Sequence, residues 1–216
     1  MPAIFPKWTN RLPAMSITAV LLMGGGVTAG VWYYFTPKYT RVGYQPIQPV
    51  SFSHATHVDQ VGMDCRYCHD GVEKSWYSNV PSTSTCMNCH KHVLKEDPRL
   101  ALVRESYDLE KPIPWVQIHK LPDYVYFNHS VHVNRGISCV HCHGAINKMD
   151  EVFHAQPLSM TFCLICHRNP DPNLRPNDKI TSLDWVPLQH LPKDWFAKTA
   201  KEWKVNASQN CSACHR

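Results

Sequence analysis

Five copies of Cys-x-x-Cys-His consume every cysteine in the chain: Cys65/Cys68/His69, Cys86/Cys89/His90, Cys139/Cys142/His143, Cys163/Cys166/His167 and Cys211/Cys214/His215. This pattern is the attachment signal of a c-type haem. Two thiols bond the former vinyl groups of the macrocycle, and the next side chain reaches the iron as proximal ligand. A structural zinc site or a thioredoxin-like redox pair also uses CxxC. Neither needs a histidine immediately afterwards, and neither explains five pairs of one spacing with the same following residue. The expected cofactor is five covalently bound haem c.

That count shapes the fold. The chain has 216 residues with 17 Pro against 9 Gly, a proline share above the usual ~5%. Proline favours loops and short extended pieces over long helices or sheets. The expected fold class is therefore mainly irregular with short α-helices, a core filled by haem, and one N-terminal transmembrane helix. Haem attachment belongs to the exported side of a membrane, and the thioether bonds are the expected cross-links. The formal charge of +5 is offset by ten haem propionates, giving about −5 with every iron ferrous and about zero with all ferric. No clustered Lys/Arg stripe with interleaved aromatics points to nucleic acid.

Between Arg11 and Lys38 no charged residue occurs, and residues 12–35 are apolar or small, ending Trp32-Tyr33-Tyr34-Phe35. As a helix this run is ~36 Å long, enough for a ~30 Å hydrocarbon core, and its terminal aromatics suit an interfacial belt. A cleaved signal peptide competes, with Val27-Thr28-Ala29 as its cleavage site. The apolar run continues past that site, which favours an uncleaved anchor. Lys7 and Arg11 before the run and Lys38 and Arg41 after it do not set orientation. Haem attachment does, placing residues 1–11 in the cytoplasm and the remainder outside the inner membrane.

An internal repeat follows the linker of residues 36–50. Phe52, His54 and His57 match Phe127, His129 and His132, the CxxCH motifs recur 74 and 77 residues later, and Pro81 matches Pro157. The expected organisation is a first dihaem unit at 51–110, a second at 111–168, and a loop, helix and fifth haem at 169–216. Residues 98–108 suit a helix, 112–122 an extended run, and the stretch from Asn169 a long surface loop. A helix opening at Pro192 would carry Phe196, Ala200 and Trp203 on one face, beside Trp195, and cover the fifth haem.

An iron with two protein ligands transfers electrons, whereas one with a vacant position can bind substrate. Each HxxH pair precedes a CxxCH, so one imidazole can fold onto the local iron while its neighbour reaches an adjacent one. His54, His57, His129 and His132 are the candidate distal ligands, with His119 as the fifth and His154, His190 and Met160 as its alternatives. Together with the proximal His69, His90, His143, His167 and His215 they would make every iron six-coordinate. His92 and His141 are expected at the surface. No catalytic residue is assigned.

These residues resemble the pentahaem, membrane-anchored cytochrome subunit of alternative complex III, a bacterial quinol:electron-acceptor oxidoreductase. The resemblance rests on the anchor, Phe52-Ser53-His54-Ala55-Thr56-His57, the run from His119-Lys120-Leu121-Pro122-Asp123-Tyr124 to His129, Pro157-Leu158-Ser159-Met160, and the terminal Cys211-Ser212-Ala213-Cys214-His215-Arg216. It implies partners: an iron-sulfur subunit, integral membrane subunits that hold quinol, and a monohaem cytochrome c, cupredoxin or oxidase as acceptor. It also implies a ligand role for His119, which belongs to the matching run. A small anchored multihaem quinol dehydrogenase is the alternative. A multihaem reductase with an open CxxCK site finds no such motif here.

Overall fold

The computed structural model describes residues 4–35 and 41–215. Met1 to Ala3 of the expected cytoplasmic segment, residues 36–40 of the expected linker, and the terminal Arg216 lie outside the described residues. The chain divides into two compact units, Met1–Val42 and Gly43–Arg216.

In the first unit a 3-10 turn, Lys7–Arg11, leads into helix α1, Leu12–Phe35. Pro13 sits in its first turn, where a missing N–H costs nothing. The helix is apolar on all sides, with Val20, Leu21, Leu22 and Met23 each 62–72% exposed. An exposed apolar surface of this length is unfavourable in water. By length and composition α1 is suited to cross a membrane.

The second unit has no strand among the described residues, only two isolated antiparallel bridges, Val125↔His215 and Ile137↔Leu174. Its helices are short: α2 Cys65–Cys68, α3 Thr83–His90, α4 Ala101–Asp108, α5 His129–Val133, α6 Val140–His143, α7 Met160–Arg168, α8 Pro187–His190, α9 Lys193–Glu202 and α10 Cys211–Cys214. Five of them carry the CxxCH motifs, because residues i and i+3 share a helix face and one turn suffices to align two thiols. Local capping makes such brief helices possible. Asp64, Ser159 and Asn210 accept backbone N–H bonds from Arg66 (2.9 Å), Phe162 (3.3 Å) and Ser212 (3.2 Å).

Side chains fill little of the interior. One core cluster of the second unit joins Val50, Met87, Val103 and Ile113, with Cys86, Leu100, Leu102, Tyr107 and Trp115 packed around it. The other buried apolar residues, Val133, Met149, Leu174, Ile180, Leu183 and Phe196, belong mainly to the segment after the fourth motif. This set is small for a unit of such length, because each residue ordered must be offset by burial or bonding. The helical, irregular architecture with a thin side-chain core agrees with the sequence expectation.

The segment after Asn169 departs from it. Instead of a surface loop, it makes 3-10 turns at Asp171–Asn173 and Asn177–Lys179 and buries Leu174 completely. Arg175 N–H donates to Gly136 C=O at 2.8 Å, and Ser138 Oγ donates to Ile180 C=O. The prolines set turns while Leu174, Ile180 and Leu183 point inward. Gly136 is required at this crossing: its φ is +82°, and a Cβ there would meet Arg175 O at 2.6 Å and a Trp203 ring carbon at 2.8 Å. Helix α9 starts at Pro192 as expected and buries Phe196. Through Trp203 it lies against Gly136, ahead of the third motif, so it covers that crossing.

Candidate haem-attachment centres

None of the ten cysteines is paired in a disulfide. Burial pushes the thiols of Cys68, Cys86, Cys163 and Cys166 up, and that of Cys142 up to about 11. Cys139 is raised by a hydrogen bond with Cys65 and by burial. A redox-active CxxC pair depends on a depressed thiol, and these run the other way; Cys65 alone is lowered, by its interaction with Cys139. Among the described residues no group of three or more His, Cys, Asp or Glu side chains converges on a point where a bare metal ion would sit. Two thiols on a macrocycle edge and an imidazole at its centre need no such convergence.

The imidazoles are held by backbone carbonyls. Nδ1 of His57 bonds Ser53 O (2.8 Å), His69 bonds Asn79 O (2.7 Å), and His90 bonds Val93 O (3.0 Å). His129 bonds Trp76 O, His132 bonds Asn128 O and His167 bonds Ser208 O, each at 2.7 Å. A carbonyl only accepts, so Nδ1 carries the proton and Nε2 keeps its lone pair. This is the orientation of a metal-binding histidine.

Ring spacing is equally specific. Two imidazoles on opposite sides of one metal, with bonds of about 2 Å each, have ring centres about 6.3 Å apart. His57 and His90 are 6.2 Å apart, His132 and His167 6.1 Å, and His129 and His143 6.5 Å with planes within 9°. The repeat is reproduced in the aromatic contacts. Phe52 stacks on His57 (4.3 Å) and meets His54 edge-on (4.9 Å), while Phe127 stacks on His132 (4.7 Å) and meets His129 edge-on (4.8 Å).

A histidine cluster brings residues of the two repeats together. Burial, then His69, His57 and His119, lowers His54 to about 4; burial, then His119, His129, His69 and His154, lowers His143 to about 3. Both are held neutral, the form that binds a metal. His119 is 4.4 Å from His143 and 5.1 Å from His154. The first spacing is too close to hold a metal between those two rings, so His119 sits in the cluster beside the third motif. His154 is 1% exposed, and its Nε2 has no hydrogen-bond partner, like Nδ1 of His54.

Other candidates fall elsewhere. His190 is exposed and stacks on Trp185 at 5.4 Å, Met160 is 64% exposed, and His92 is exposed. His141, expected at the surface, is half-buried with an unpartnered Nε2, because the 169–183 segment folds over it. His215 faces the ring of Tyr124 at 5.9 Å, and the backbone of Tyr126 donates to Cys214 O at 2.7 Å. Sequence reasoning missed Tyr124 as the neighbour of the last motif. It also missed the buried Arg175, whose Nη1 donates to Ser182 O.

The donor set fits haem c: paired thiols on short helices, each pair followed by an imidazole, with further imidazoles at trans-ligand spacing. Residues 50–104 and 125–216 match the family described as cytochrome c7 and related cytochrome c. The chain is also 29% identical over 188 residues to the multihaem cytochrome c subunit of menaquinone reductase from Nitratidesulfovibrio vulgaris, covering 80% of this chain and 78% of that one. With more than half its length matched, the chain belongs to the family of cytochrome c7 and related cytochromes c, multihaem proteins that bind haem c covalently.

Proposed function

We propose that the chain binds five haem c groups and relays electrons as the membrane-anchored cytochrome subunit of a quinol-oxidising complex of the alternative complex III type. The observation that carries this is the set of imidazole pairs spaced for trans ligation, His57 with His90 and His132 with His167. Haem c, when bound, supplies one-electron redox chemistry. The chain supplies the thiols of the ten cysteines, the five proximal imidazoles, and the distal His54, His57, His119, His129 and His132. It also supplies the carbonyls that fix ring orientation and the burial that holds His54, His132 and His143 neutral.

In this reading α1 is a single-pass anchor, with residues 51–110 and 111–168 as dihaem units and residues 169–216 carrying the fifth site outside the inner membrane. The partners are an iron-sulfur subunit and integral subunits holding quinol. The acceptor is a monohaem cytochrome c, a cupredoxin or an oxidase. A second reading is favoured by the relative's name: as part of a menaquinone reductase, the same relay would run toward quinone. The direction of reduction distinguishes them in membranes given quinol or an artificial donor.

The first test is stoichiometry. A pyridine haemochrome assay is expected to give five haems c per chain, and four would mean that one motif is silent. Absence of haem c would remove the reading altogether.

A further inference from the structure

We propose that the five attachment motifs stand in single file in the order second, first, third, fourth, fifth, so that the outer sites of the relay are motifs two and five. The order rests on the electron-relay reading and deepens it, because it names where electrons must enter and leave.

Each link is built from the chain's own residues. Motifs two and one meet through their intervening positions, where Asn88 Nδ2 donates to Tyr67 Oη at 3.1 Å. Motifs one and three meet at Cys65 and Cys139, whose side chains act directly on each other.

That junction is reciprocal. In one direction the second HxxH lies on the loop after motif one, with Ser130 N–H donating to Ser75 O (3.1 Å), His129 Nδ1 to Trp76 O (2.7 Å) and Asn134 Nδ2 to Glu73 O (2.9 Å). In the other, the first HxxH lies on the loop after motif three. Ala55 N–H donates to Met149 O (3.0 Å), Ser53 Oγ donates to Asp150 Oδ1 (2.7 Å), and Lys148 pairs with Asp59. The leading motifs of the two repeats are thus back to back, and the trailing motifs lie outside them.

Asn173 joins motifs three and four. Its backbone lies against His141, an intervening residue of motif three, and its Nδ2 donates to Cys166 Sγ at 3.4 Å. Motif four joins motif five through the 2.7 Å bond of His167 Nδ1 to Ser208 O, three residues before Cys211. The Val125↔His215 bridge agrees. It docks motif five on the stretch leading to Phe127, whose ring stacks on His132, the partner of His167. Exposure sets the centre apart: all four thiols of motifs one and three are partly buried, while motifs two, four and five each have one exposed thiol, Cys89, Cys163 and Cys211.

The test is the set of iron positions in a density map of the haem-loaded full chain in its membrane complex, with haem c counted first on the same sample. The irons of motifs two and five are expected at the ends, with that of motif one between two and three. A map in which motif two's iron is nearer to three, four or five than to one, or in which one and three are not neighbours, overturns the order. Such a map would leave the relay reading intact, whereas a sample without haem c would end that reading. In solution, paired Cys→Ala changes remove one site at a time. Loss of motif three (Cys139→Ala with Cys142→Ala) is expected to alter the oxidised electron paramagnetic resonance signals of two remaining sites, and loss of motif two (Cys86→Ala with Cys89→Ala) those of one. Equal numbers in the two variants would contradict the single file.

Discussion

In the first repeat Phe52 stacks on His57 at 4.3 Å over a π-helical turn, Ala55–Gln60, and His57 stands 6.2 Å from His90. In the second, Phe127 stacks on His132 at 4.7 Å over the α-helix His129–Val133, and His132 stands 6.1 Å from His167. The helix type differs and the ring geometry does not. What the copies share is a local device: each imidazole donates Nδ1–H to the carbonyl four residues earlier, Ser53 or Asn128, and each is backed by a phenylalanine. The ring is therefore placed by its own hydrogen bond and stacking partner, and the backbone turn adapts around it. The supports differ more. The first copy leans on its side-chain cluster of Val50, Met87, Val103 and Ile113, whereas the second is wrapped by the buried segment around Leu174.

The strongest way to break this equivalence is to remove the shared imidazole. His57→Ala and His132→Ala should each turn a single haem high-spin, measured by electron paramagnetic resonance. A variant that left all sites low-spin would show that its copy uses another ligand. At the junction, His119→Ala should convert a single haem. An unchanged spectrum would transfer the role to His154, His190 or Met160, of which only His154 is buried.

The unequal supports can be separated by stability. Leu174→Ala should destabilise the haem-loaded protein by about 2–5 kcal/mol through cavity formation, read from denaturant unfolding. It should disturb the second pair's spectrum before the first. Equal disturbance of both would mean that the wrap serves the whole unit.

The smallest expected effect lies at the motif caps, since Asp64 caps α2 while α6 has no side-chain cap. Asp64→Ala should cost about 1 kcal/mol. The hydrogen bond from Arg66 lowers the Asp64 carboxyl from 3.8 to about 2. A depressed carboxyl stabilises the fold above its unfolded value, and that contribution fades as pH falls from near 3.8 through about 2. The difference between wild type and variant should therefore shrink over that window, as thermal melts at stepped pH would report.

Much of this was legible from residues alone. Helix α1 spans Leu12–Phe35, the charge-free run, because an uninterrupted apolar stretch leaves the backbone little alternative. The Phe and HxxH repeat was visible because its partners are close in sequence. The segment around Leu174, Ile180 and Leu183 was not, since prolines and asparagines break any period that would mark those side chains as internal. His141 was misread for the same reason: what buries it comes from residues far along the chain. The carbonyls of Trp76, Asn79 and Ser208 that steer His129, His69 and His167 left no trace in sequence, because every residue type offers one.

The bond from His129 to the Trp76 carbonyl spans 53 residues, and this gives the chain a sense of time. In the proposed topology the chain after α1 crosses the membrane in order of synthesis, so motif one is presented before residue 129 arrives. The ring of His129 acquires its fixed orientation only when both segments are on the same side of the membrane and folded together. Covalent attachment at motif one can therefore run ahead of folding, while the setting of His129 marks a later stage of maturation. A chain interrupted between residues 90 and 129 would carry its first two attachment motifs with the junction unformed.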